Sequence, residues 1–75
     1  MDELNEIVKL IKDISNANKR LEILCKKTKN KNNKIFFCLD DADANLGYTY
    51  EYLFESLIKL CNNDYNKAYS LLKNE

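Results

Sequence analysis

Cysteine and serine side chains are the candidate nucleophiles of this 75-residue chain. The chain contains no histidine, so no imidazole base can take a proton from a thiol or a hydroxyl group. We therefore expect no enzyme activity, and we expect the cysteines to pack inside the fold, where free cysteine is common. The candidate nucleophiles are Cys25, Cys38, Cys61, Ser15, Ser56 and Ser70.

The number and spacing of the cysteines argue against a disulfide framework and against a zinc site. There are three of them, no two form a C-x-x-C motif, and no histidine is present to complete a ligand set. Unpaired cysteines are typical of a reducing compartment, so the sequence predicts an intracellular, cytoplasmic protein. The longest apolar run, Ile35–Leu39, is much too short to span a membrane.

An acidic cluster at residues 40–45 resembles a calcium-binding loop in composition. When positions are counted from Asp41, the glycine of such a loop falls on Leu46 and the bidentate glutamate falls on Tyr52. This spacing favours carboxylates on a helix surface or at a helix cap. We therefore predict no metal site and no other cofactor.

The charge distribution is balanced over the chain but uneven along it. With 12 basic and 12 acidic side chains, the chain lacks the positive field that binds nucleic acid or an anionic membrane. Residues 1–34 carry nine basic and five acidic groups (net +4), and residues 35–75 carry three and seven (net −4). A chain this short has no room for a deep cleft, so we expect no small-molecule substrate. The Lys- and Asn-rich stretch 26–34 reads as a solvated connector.

Apolar residues of the first third recur at three- and four-residue steps, which predicts an amphipathic helix that begins near Asp2. In seven-residue steps, Leu4, Ile11, Asn18 and Cys25 share one position, and Ile7, Ile14, Leu21 and Thr28 share the other. The flanking positions hold Val8, Leu10, Ala17 and Leu24 where a two-stranded coil would carry charges, and such a broad face suits a helical bundle. Two alternatives remain open: one helix to about Lys29, or a hairpin broken at residues 15–18, where Ser and Asn favour a cap.

The apolar run Ile35–Leu39 has strand-forming residues but no second strand to pair with. We therefore place it on a helix whose apolar face holds Ile35, Leu39 and Ala42. The sequence predicts an all-α fold, a small helical bundle with an arm or α-hairpin over residues 1–31 and a three-helix unit over residues 32–75. Together these two parts form one compact domain.

Gly47, the only glycine of the chain, predicts a tight backbone turn because glycine adopts positive φ without steric cost. A second helix then runs from Thr49, its predicted N-cap, to Cys61. A polar turn at residues 62–64 follows, in which Asp64 caps a short last helix. Among the five tyrosines, we expect Tyr48 beside the turn to face a partner and Tyr65 to pack.

The order of these parts from Leu46 to Lys73 resembles the second part of the ubiquitin-associated (UBA) domain. The matching segments are Leu46–Tyr48, Cys61–Asp64, Asn66–Ala68 and Ser70–Leu72. The resemblance implies a compact three-helix bundle in which Ala68 allows close helix packing. It also implies an apolar patch that binds the hydrophobic face of ubiquitin, made of Leu46, Gly47, Tyr48, Leu71 and Leu72.

From these patterns we predict a non-catalytic protein-interaction module, with ubiquitin or a ubiquitin-like protein as the leading single candidate partner. One alternative is a small helical inhibitor or regulator, of the size that phages and mobile elements encode, whose acidic, tyrosine-rich half imitates a negatively charged ligand of a host enzyme. Another alternative is a coiled-coil type of self-assembly, a homodimer through residues 4–28.

Overall fold

Residues 2–73 of the protein fold into three α-helices joined by two short turns. The computed structural model describes residues 2–73, with α1 at Glu3–Thr28, α2 at Asn33–Leu60 and α3 at Tyr65–Lys73. The molecule is elongated, with extents of 46 × 20 × 20 Å, because α1 and α2 lie antiparallel along most of its length. The prediction of an all-α fold is confirmed.

Helix α1 is one continuous rod, so the first of the two alternatives for residues 2–29 is correct. The side chain of Asp2 accepts a hydrogen bond from the Asn5 N–H group at 3.3 Å and caps the amino-terminal end. The helix passes through residues 15–18 without a break. The eight residues at the two seven-residue positions described above, which we call the seam of α1, continue through Asn18 to Thr28. Every residue of that seam is buried or half-buried.

Helix α2 begins where the Asn32 side chain accepts a hydrogen bond from the Ile35 N–H group at 3.3 Å. The apolar run Ile35–Leu39 is helical, as predicted, because the helix supplies the hydrogen bonds that an unpaired strand would lack. The predicted apolar face is wrong, however. Ile35 and Ala42 are exposed, and the half-buried face instead includes Phe36, Leu39 and Asp43.

The predicted turn at Gly47 does not form, because α2 continues through this residue to Leu60. No glycine in the described chain has positive φ, so Gly47 has ordinary helical geometry. Thr49 is likewise not an N-cap, since its hydroxyl donates to the Asn45 carbonyl one helical turn earlier, at 3.0 Å. One glycine is too weak a signal to stop a helix that is held by packing on both sides of it.

The second turn lies at the predicted position. Asn62 and Asn63 have φ of 58° and 63°, the left-handed region that asparagine tolerates. The Asp64 carboxylate accepts from the Lys67 N–H group at 3.1 Å and caps α3, as expected. Residues 32–73 therefore contain two helices where three were predicted, because the helix boundary at Gly47 is absent.

The core lies at the end of the molecule where α3 packs across α1 and α2. Its buried residues are Ile11, Leu57, Cys61 and Ala68, each at most 3% exposed. Ala68 is fully buried, as expected for a small residue that lets α3 approach closely. Toward the α1–α2 turn the molecule is only two helices thick, and Cys25 is the one buried residue there among residues 2–73.

Candidate protein-binding surface

The predicted patch residues of α2 point in different directions. Consecutive residues of an α-helix are separated by about 100° around the axis, so Leu46, Gly47 and Tyr48 cannot share one face. Leu46 is half-buried beside α1, whereas the Tyr48 side chain is 61% exposed. The glycine turn that would have gathered these three residues is not present.

The other two patch residues lie on α3. Leu71 and Leu72 are half-buried and pack against the core cluster of Ile11, Leu57, Cys61 and Ala68. Leu46 lies 11 residues before Leu57 on α2, which corresponds to about 16 Å along the helix axis. The structure thus places the five predicted residues on two helices and on different faces of α2, and their role in binding stays a prediction.

Leu46 instead lines an open apolar groove on the surface formed by α1 and α2. We call this the α1 groove, and its volume is about 550 Å³. Its lining residues are Ala17, Arg20, Leu21, Ile23, Leu24, Lys27 and Leu46, none of which belongs to α3. Large apolar side chains at its edge are solvent-exposed, with Ile23 at 56% and Leu24 at 45%.

Two of the residues that line the groove, Ala17 and Leu24, belong to an apolar row that runs along α1 beside the buried seam. Leu10, Ala17 and Leu24 are spaced by seven residues and all are exposed. On the opposite flank of the seam Val8 packs against the core, whereas Glu22, farther along that flank, is exposed. Of the four apolar flanking residues that suggested a bundle, only Val8 packs within the fold, whereas Leu10, Ala17 and Leu24 are exposed.

A row of charged side chains runs alongside this apolar row. Glu6, Asp13, Arg20 and Lys27 also follow one another at seven-residue spacing, and all four are exposed. The two acidic residues precede the two basic ones, so the row is negative toward the amino-terminal end of α1 and positive toward its carboxyl-terminal end. No sequence motif marks this row, and its possible role in binding follows only from its position beside the open groove.

Contacts between aromatic rings connect α3 to α2. The rings of Tyr50 and Phe54 stack at 6.3 Å between centroids, and Phe54 meets Tyr65 edge-to-face at 5.5 Å. Tyr65 stacks on Tyr69 at 6.2 Å, and the Lys73 ammonium lies 5.3 Å from the Tyr69 ring centroid. Tyr65 makes these two ring contacts, but its side chain is 57% exposed, so the expectation that it packs inside the fold is wrong.

The thiol with the most distinctive surroundings is Cys25, in a second, smaller hollow near the α1–α2 turn. Burial raises the pKa of the Cys25 thiol, and the nearby carboxylates of Asp43, Asp40 and Glu22 raise it further. One carboxylate oxygen of Asp43 is buried without a hydrogen-bond partner, and Asp43 and Cys25 line the same hollow. A thiol held in its neutral form is a poor nucleophile and a poor metal ligand.

Within residues 2–73, no group of three or more acidic or cysteine side chains is placed to hold a metal ion. In the acidic cluster at residues 40–45, Asp40 and Asp41 are exposed on α2, whereas Asp43 is half-buried and one of its carboxylate oxygens is buried. In the same part of the chain, no helix has a stretch apolar enough to cross a lipid bilayer. Comparisons with protein-family models, with curated proteins and with solved structures find no match to this chain.

Proposed function

We propose that this chain is a non-catalytic protein-interaction module that binds another protein molecule through the α1 groove. The observation that carries the proposal is the distribution of apolar side chains. Among residues 2–73, ten large apolar side chains are exposed, whereas five apolar residues are buried. Scattered exposed apolar residues are normal, but two of the ten, Ile23 and Leu24, lie together in a groove with Arg20 and Lys27 at its rim, and an apolar patch rimmed by charge is typical of an interface.

The shape of the groove supports a helix or another elongated protein segment as its ligand. It is open along α1, its walls are leucine, isoleucine and alanine side chains, and Arg20 and Lys27 stand at its rim. An apolar groove of this kind accepts an amphipathic helix at i, i+3, i+4 and i+7 positions. The lack of histidine and the raised pKa of Cys25 agree with a non-catalytic role.

The test is site-specific photo-cross-linking in the native host cell, with a photoreactive amino acid at position 24 or at position 51. Leu24 lines the groove, whereas Glu51 is an exposed residue of α2 outside it. We expect covalent protein adducts from position 24 and none from position 51. A partner identified in this way should bind the purified Leu24→Ser variant about tenfold more weakly than the unaltered chain. Equal adducts from both positions, or none from position 24, would contradict the proposal.

Ubiquitin, the partner that the UBA resemblance predicts, is the first purified protein to titrate against the isotope-labelled chain. Binding at the α1 groove would shift the amide signals near Leu24 and Leu46. Binding at the patch implied by the resemblance would shift Gly47, Tyr48 and Leu72 together, although these residues lie on different faces and helices. Unchanged spectra at high ubiquitin concentration would reject ubiquitin and leave the groove open to other proteins.

A further inference from the structure

We infer that the occupant of the α1 groove is a second copy of this chain, which packs its own α1 antiparallel against the first. The inference rests on the proposed function and names the partner of the same surface. It differs from a homodimer through the seam of α1, because α2 of the same molecule already covers that seam.

The apolar row of α1 is symmetric about Ala17. Leu10 and Leu24 lie seven residues before and after it. In an antiparallel pair centred on Ala17, each Leu10 meets Leu24 of the other copy, and the two small alanines face each other. Small residues at a helix crossing let the axes approach to about 8 Å, the short end of the usual range.

The charged row beside the apolar row also suits an antiparallel pair, because its acidic half meets the basic half of the second copy. Residues on the same flank face each other in an antiparallel helix pair, so Glu6 approaches Lys27 of the second copy and Asp13 approaches Arg20 of the second copy. The twofold axis repeats both contacts, which gives four pairs of opposite charge. A parallel pair would instead put the charged rows of the two copies on opposite sides of the interface, so only the antiparallel arrangement brings their opposite charges together.

The length of the shared face is sufficient for a specific contact. Glu6 and Lys27 are 21 residues apart, or about 31 Å along the helix axis. Leu46 of α2 borders the same groove, so α2 of the second copy can extend the interface beyond the two α1 helices. Such an interface is isologous: the same surface of both copies is used, and it closes into a dimer with no open end.

The test uses two full-length variants that each carry charge of one sign along the row. The first is Glu6→Lys with Asp13→Lys, and the second is Arg20→Glu with Lys27→Glu. All four positions are exposed, so the helical fold should be unaffected, which circular dichroism checks. A matched control, Lys9→Glu with Lys19→Glu, makes the same kind of change at exposed α1 residues outside the groove.

Sedimentation equilibrium at low salt should show a concentration-dependent dimer for the unaltered chain and for the control. Each single-sign variant alone should have a dissociation constant raised by about tenfold or more. An equimolar mixture of the two variants should dimerise again, because opposite charges then face each other in all four pairs. Added salt should reduce the difference between variants, since exposed charges are screened.

Three results would overturn the inference. They are a monomer at millimolar concentration, a dimer that the single-sign variants form as tightly as the unaltered chain, and a mixture that stays monomeric. A monomer that still cross-links to a different protein from position 24 would refute self-association but keep the proposed function. Absence of any adduct, including one of twice the chain mass, would remove the proposed function itself.

Discussion

At the scale of single residues, the fold gives two residues a role different from the one that their residue types predict. Gly47 suggests a turn, but it lies inside α2 with helical φ, and a Cβ atom built on it meets nothing within 4 Å. Cys25 is a possible nucleophile by type, but it is 8% exposed and lies near carboxylates. Both differences lead to direct tests.

Replacement of Gly47 by alanine distinguishes the helix from the turn. In a helix interior with free space, Gly47→Ala should raise the free energy of unfolding by about 1 kcal/mol, because alanine is the better helix former. In a turn with positive φ, the same change would cost a similar amount. Urea denaturation followed by circular dichroism measures the sign, and a loss of stability would contradict the continuous helix.

The three thiols should differ sharply in reactivity. Cys38 is exposed, whereas Cys25 and Cys61 are buried, so an alkylating reagent at pH 8 should modify Cys38 first in the folded protein and all three in denaturant. The raised pKa of Cys25 means that folding holds its proton more tightly than the unfolded chain does. Mass spectrometry of the modified peptides measures the order, and rapid modification of Cys25 would contradict its burial.

The same pKa direction gives a pH dependence of stability. The contribution of Cys25 is complete below the ordinary thiol pKa near 9.0 and is lost as the pH rises through the raised value. Replacement by alanine should therefore lessen the alkaline loss of stability, which urea denaturation over a series of alkaline pH values measures. An identical pH profile for the Cys25→Ala protein would show that other groups account for the whole effect.

At the scale of the elements, α1 and α2 form an antiparallel pair whose apolar seam is interrupted by polar residues. Asn18 lies in the seam of α1 and Asp43 in the half-buried face of α2, and each has a buried side-chain oxygen without a hydrogen-bond partner. A buried, unsatisfied polar atom costs about 1–3 kcal/mol. We therefore expect both positions to lower the free energy of unfolding relative to apolar residues packed at the same places.

Replacement of the seam asparagine by leucine should stabilise the protein. Asn18→Leu is expected to raise the free energy of unfolding by about 1–2 kcal/mol, because an unsatisfied amide oxygen is replaced by apolar atoms that pack between the helices. The matched control is Asn16→Leu at an exposed position of the same helix, which should change stability by less than about 0.5 kcal/mol. Equal effects at both positions would show that Asn18 is not in the packed seam.

At the scale of the whole molecule, the short third helix leaves the hairpin unevenly covered. Helix α3 has nine residues and spans about 14 Å, less than a third of the 46 Å length. Its contacts complete a small core at one end, while the α1 groove stays open. A second hairpin stacked on that groove would form a four-helix arrangement, which is the assembly that the charge-reversal variants test.

Much of the fold was predictable because it depends on local patterns. The seven-residue seam of α1, the Asp64 cap and the polar turn at residues 62–64 each arise from side chains close in sequence, and all three agree with the structure. The all-α class also followed from the lack of a partner for the run Ile35–Leu39. For the candidate groove, the sequence indicated only that apolar residues lie on a flank of α1. It did not indicate that they would stay exposed.

What tertiary structure alone decided is the path of α2 and the choice of exposed face. A helix continues through a glycine when packing on α1 outweighs a cost of about 1 kcal/mol, and no local pattern reports that balance. Residue types and periodicity determined where helices form and which seam is apolar. The docking of α3 decided which end of the α1–α2 pair has a three-helix core, because a helix of nine residues does not extend to the end that holds the α1 groove.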